Sequence, residues 1–98
     1  KINNIILVCG FLKNKDVKNI LYILKNNINY FIFVKLENKH NSYSIKELTS
    51  IAKSIDIKCY SQNSLKDVLE SNLILPNSKI LIFGSLYLVG EALKLDNA

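Results

Sequence analysis

Residues 80–91 read Ile80-Leu81-Ile82-Phe83-Gly84-Ser85-Leu86-Tyr87-Leu88-Val89-Gly90-Glu91. Four apolar residues in succession, without the polar alternation of a half-solvated sheet, spell a buried strand. Gly84-Ser85 breaks the run, and Leu86, Val89, Gly90 and Leu93 then fall on one stripe of a helix expected over 86–95. A buried strand that turns directly into a helix is a unit of α/β architecture and not of a hairpin. The turn also carries chemistry. The first N–H groups of a helix have no acceptor within it, so together with the Ser85 hydroxyl they face any anion lying above the sheet edge.

Three further blocks have strand length and Ile, Val and aromatic content: residues 5–8, 30–34 and 57–60. Helical patterns separate them. Val17, Ile20, Leu21 and Leu24 share one face, with Asp16 placed to cap it. Ser44 with Glu47 forms a capping box ahead of Ile45, Leu48, Ile51, Ala52 and Ile55. Ser64 and Asp67 open a third pattern that buries Leu65, Val68 and Leu69. Strict alternation of strand and helix implies a parallel sheet with right-handed crossovers and helices on both faces. The first and last strands are the most apolar, whereas 57–60 carries Lys58 in its middle, as an edge strand tolerates. The expected fold is therefore a three-layer, Rossmann-like α/β domain over 1–98 with strand order 3-2-1-4. In that order the chain reverses direction between strands one and four, and ligands of open α/β sheets bind above the carboxyl ends at such a switch point.

Composition narrows the function classes. The chain has 98 residues, 49% of them hydrophobic, which suits one domain with a modest core. All 13 basic side chains are lysine, scattered among Ile and Asn, so the net charge of +5 does not form the clustered, arginine-rich surface that reads nucleic acid. No apolar stretch has membrane-spanning length. Cys9 and Cys59 fall in expected strands without CxxC or Cys/His spacing, which argues for a reduced, buried pair in a cytoplasmic protein rather than zinc or a disulfide. The absence of methionine and the start at Lys1 suggest a piece of a longer polypeptide.

Three loops converge on the expected switch point: residues 9–16, 35–44 and 84–86. Gly10 and Gly84 end strands, where glycine serves either a tight turn or the close approach of a ligand. Ser85 either caps its own helix or, with the Leu86 N–H, binds a carboxylate. Lys15 lies on the loop facing Ser85, so an ammonium and a helix start would converge on one gap. His40 and Tyr87 border the rim, and His40 lacks the partners of a catalytic histidine. No nucleophile, metal-ligand cluster or phosphate-binding glycine loop is apparent, so no catalytic and no metal residue is assigned.

Residues 8–17 (Val-Cys-Gly-Phe-Leu-Lys-Asn-Lys-Asp-Val), the Glu-x-x-His-x-Ser pattern of residues 37–42 and above all Gly84 to Glu91 resemble, in order, the C-terminal domain of the folylpolyglutamate synthase and dihydrofolate synthase family, within the Mur ligase superfamily. The resemblance implies an ATP- and magnesium-dependent ligase that converts a folate carboxylate to an acyl phosphate, which the amine of L-glutamate attacks. It implies that Ser85, the Leu86 N–H and Lys15 hold the glutamate, while ATP, Mg2+ and most of the folate pocket belong to a preceding ATP-binding domain. The family's Asp-Gly-Ala-His-Asn strand and the helix after it are not in this chain. The 98 residues alone are accordingly expected to be inactive, with the fourth strand left as an exposed sheet edge. A second function class, a non-catalytic α/β binding or regulatory module, fits the same pattern.

Overall fold

The computed structural model describes residues 4–36 and 41–84. Seven elements alternate along them: β1 (Asn4–Cys9), α1 (Val17–Leu24), β2 (Tyr30–Val34), α2 (Ile45–Ser54), β3 (Cys59–Gln62), α3 (Leu65–Glu70) and β4 (Ser78–Phe83). All pairings between these four strands are parallel and the order is β3-β2-β1-β4, as the alternation predicts. In register, Cys9 lies between Phe33 of β2 and Phe83 of β4.

Side-chain alternation sorts the core into two layers. Leu7, Cys9, Phe31 and Phe33 pack against Val17 and Leu21 of α1 and Leu48 and Ala52 of α2. Ile6, Val8, Ile32 and Val34 point the other way, onto Leu65 and Val68 of α3. The handedness of the crossovers dictates this split. The β1-α1-β2-α2-β3 run progresses across the sheet in one direction, and α3 returns across the opposite face to reach β4. All five residues of β2 are buried, so β2 and not the last strand is the most enclosed.

Among the described residues β4 hydrogen bonds to β1 alone, in line with the expected edge. Ile80 and Ile82 pack against the α3 layer, whereas Leu81 and Phe83 remain 38% and 43% exposed on the other face, beyond the cover of α1.

Three local expectations need correction. Leu69, expected to be buried with Leu65 and Val68, is exposed at the end of α3. The third strand runs from Cys59 to Gln62 instead of 57–60. Asp56 takes a positive φ of 57°, and the Ile57 N–H donates to Ala52 O, so the chain is still closing α2 where the strand was expected to begin. Pairing then continues through polar Ser61 and Gln62, because an edge strand needs only its backbone to join a sheet. Lys58 thus precedes the strand and stacks over the rings of Tyr30 and Tyr60 at 5.8 Å each. Asp16 does occupy the N-cap position of α1, but its side chain makes no capping bond and its backbone is not extended. The Ser44/Glu47 capping box and the Ser64 cap form as expected. The helix expected over 86–95 lies outside the described residues.

Candidate functional site

The tips of β1 and β4 meet through two glycines. The Gly10 N–H donates to Phe83 O at 3.4 Å. Gly84 has φ +128°, and a Cβ placed on it would lie 1.8 Å from Gly10 O. A Cβ on Gly10 would in turn sit 2.8 Å from Val34 O of β2. Only residues without side chains allow three strand ends this close, so both glycines serve backbone approach at the switch point. Below them Phe11 is buried and meets Phe83 edge to face, with ring centroids 6.0 Å apart.

From this junction the loop after β1 is tied sideways to the loop after β2. Leu12 and Ser42 form an antiparallel bridge, flanked by the Lys13 N–H donating to Asn41 O at 2.7 Å and the Tyr43 N–H donating to Phe11 O at 2.9 Å. The Lys15 N–H closes a turn onto Leu12 O at 3.1 Å, and the Lys15 carbonyl accepts from the Val17 N–H at 3.0 Å and from the Tyr43 hydroxyl at 3.4 Å. Lys13 Nζ reaches Glu47 Oε2 at 3.2 Å. Glu47 also accepts from the Ser44 N–H at 2.9 Å. That backbone bond, with Lys13 second, holds the Glu47 carboxyl below the usual carboxylate range.

Of the residues singled out from sequence, Gly10 and Gly84 come together at the adjoining strand tips. Lys15 is exposed on the loop that leaves one of them, and its ammonium has no ion-pair partner among the described residues. Ser85, Leu86, Tyr87 and His40 lie outside the described residues, although Ser85 and Leu86 directly follow Gly84 in the chain. Lys13, Tyr43 and the outward half of Glu47 escaped sequence reasoning. The capping box was visible, but nothing in the spacing says which lysine it recruits or that a tyrosine beside it spans to the neighbouring loop.

No group of three His, Cys, Asp or Glu side chains among the described residues is placed to hold a metal ion. The two junction glycines are spent on packing strand against strand and not on a phosphate cradle. The free cysteines offer no nucleophile either: burial pushes the Cys9 thiol far above its ordinary value, with Cys59 adding to it, and partial burial also raises Cys59. No helix among the described residues is long and apolar enough to cross a membrane.

No protein-family model matches the sequence, and no curated protein matches it significantly. Solved structures do match. A Mycobacterium tuberculosis folylpolyglutamate synthase complexed with ADP and AMPPCP superimposes with a TM-score of 0.79 at 19% identity, over 100% of this chain and 24% of that one. E. coli FolC in complex with ADP, without folate substrate, gives 0.77 at 17% identity, over 99% of this chain and 23% of its own. A bifunctional folylpolyglutamate synthase/dihydrofolate synthase from Yersinia pestis, complexed with AMPPNP and Mn ion, gives 0.77 at 15%, over 97% and 22%. The chain thus spans less than a quarter of the length of these enzymes. Its three-layer α/β fold is, from end to end, the fold of one part of a folylpolyglutamate synthase.

Proposed function

We propose that this chain is a single domain, the C-terminal glutamate-positioning domain of a cytoplasmic, ATP-dependent ligase that adds L-glutamate to dihydropteroate or tetrahydrofolate. The observation that carries this reading is the Gly10–Gly84 contact. It sets the Lys15 loop and Gly84, the residue that precedes Ser85 in the sequence, on adjoining strand tips of a fold shared, at full coverage, with folylpolyglutamate synthases. In this reading the Ser85 hydroxyl, the Leu86 N–H and the Lys15 ammonium bind glutamate carboxylate, each a charge-assisted contact. The domain contributes placement: it holds the incoming amine within reach of the activated folate carboxyl, and converts an encounter between two solutes into a step within one complex. In this reading ATP, Mg2+ and the folate bind the preceding domain.

The test is a glutamate titration of the full-length protein, with ATP and folate substrate saturating, comparing wild type with Lys15→Ala and Ser85→Ala. Loss of one charge-assisted hydrogen bond is worth about 1.5–3 kcal/mol, which corresponds to a rise of about 10- to 100-fold in KM for glutamate. The folate KM should hold steady. A glutamate KM unchanged in both variants would remove the assignment.

A further inference from the structure

We infer that Tyr43 is a positioning residue for Lys15: it fixes the loop after β1 at two points and so sets where the Lys15 ammonium stands. This rests on the reading of Lys15 as a glutamate anchor. Tyr43 reaches the loop through its backbone N–H on Phe11 O at 2.9 Å and through its hydroxyl on Lys15 O at 3.4 Å. Its ring packs against the core layer shared by α1 and α2, so the residue is itself held from below. The next residue, Ser44, caps α2, and Glu47 of the same capping box holds Lys13 at 3.2 Å. The segment 12–15 is therefore gripped on both sides. Its backbone is bridged to Ser42, and its two lysines are sorted: Lys13 is neutralised by Glu47, whereas Lys15 keeps its charge unspent among the described residues.

The consequence is a loop that is rigid before ligand arrives. A flexible lysine loses side-chain and backbone freedom when it clamps an anion, and that loss subtracts from affinity. Fixing the Lys15 backbone through Tyr43 removes part of it in advance. Tyr43 touches no reacting atom, so its loss should act on glutamate affinity and not on turnover once glutamate is bound.

The experiment uses the full-length protein in three forms, wild type, Tyr43→Phe and Tyr43→Ala, with two readouts. Hydrogen exchange measures protection of the amides of residues 12–17. Steady-state kinetics measures KM for glutamate and kcat. For Tyr43→Ala the expected result is about tenfold faster exchange in that segment and a glutamate KM raised about five- to tenfold with kcat within about twofold. Both variants keep the backbone bond to Phe11 O; Tyr43→Phe keeps the ring and loses only the hydroxyl bond to Lys15 O, so it should show a smaller loss of the same kind in both readouts. Exchange unchanged in Tyr43→Ala would overturn the inference whatever the kinetics show. Faster exchange with an unchanged glutamate KM would overturn it too, while the Lys15→Ala titration separately decides whether Lys15 is an anchor at all. A fall in kcat matching the rise in KM, or Tyr43→Phe indistinguishable from wild type in both readouts, would also count against it.

Discussion

At the scale of the residue, Gly84 is where the fold is least forgiving. Its φ of +128° is one that side-chain-bearing residues rarely adopt, and an added Cβ would press to 1.8 Å of Gly10 O, a backbone atom that cannot rotate away. Gly84→Ala must therefore move a strand tip or change its own φ. Strain in the backbone and overpacking each cost about 1–3 kcal/mol, so a loss of about 3 kcal/mol or more is expected. Gly10→Ala should cost less, since part of its obstruction is the Leu36 side chain, which can shift. Thermal unfolding of both variants checks this order, and a Gly84→Ala protein as stable as wild type would show that the tips are not held together. Sequence alone marked both glycines but left their purpose undecided between ligand and packing. A close approach between strands far apart in sequence becomes visible only once the strand order places their ends side by side. The same limit applies to Lys13 and Lys15, which look alike in the chain and differ because one of them has Glu47 across a gap.

At the scale of the element, α2 is the best specified part of the rim. The Ser44 hydroxyl accepts from the Glu47 N–H at 3.1 Å while the Glu47 carboxylate accepts from the Ser44 N–H. The bond from the Ser44 N–H to the carboxylate, with the Lys13 ion pair, favours ionised Glu47, so its folded pKa lies below the unfolded one. A group depressed in this way adds stability that is complete above its unfolded value and disappears as pH falls through the folded value. The prediction is that Glu47→Gln melts below wild type at neutral pH, and that the gap narrows as pH falls through and below the ordinary glutamate range near 4.5. Added salt should shrink the Lys13 share of it, because that pair is solvent-exposed. A gap that stayed constant from pH 7 to about pH 3 would show that Glu47 acts only through neutral hydrogen bonds. Elements as a class were readable where burial or capping dictates the residue: β1 and β2 as unbroken apolar runs, α2 and α3 from their serine caps. The reading failed where neither applies. β3 is an edge strand held by its backbone, so Ser61 and Gln62 carry no strand signal, and Asp16 looks like a cap although its carboxylate makes no such bond.

At the scale of the whole molecule, four parallel strands bring two rim loops into one fixed platform and leave Leu81 and Phe83 open on the β4 face. In the proposed reading such a platform orients an amino acid, and activation of the carboxyl group belongs to the preceding domain. The described residues hold no cluster fit for a metal ion, no glycine loop fit for phosphates and no low-pKa thiol. Placement accelerates a reaction only when the second reactant is held as well, so a positioning domain without its partner domain gains nothing from the effective concentration it could create. The 98-residue chain, supplied with ATP, Mg2+, L-glutamate and folate substrate, is therefore expected to release no ADP above the rate without protein. The full-length protein should release ADP in proportion to amide formed and only when glutamate is present. Glutamate-dependent ADP release by the 98 residues alone would mean that this domain carries catalytic groups of its own. If the full-length protein shows none, the ligase reading fails and the non-catalytic binding module takes its place, with the switch point still the surface to probe.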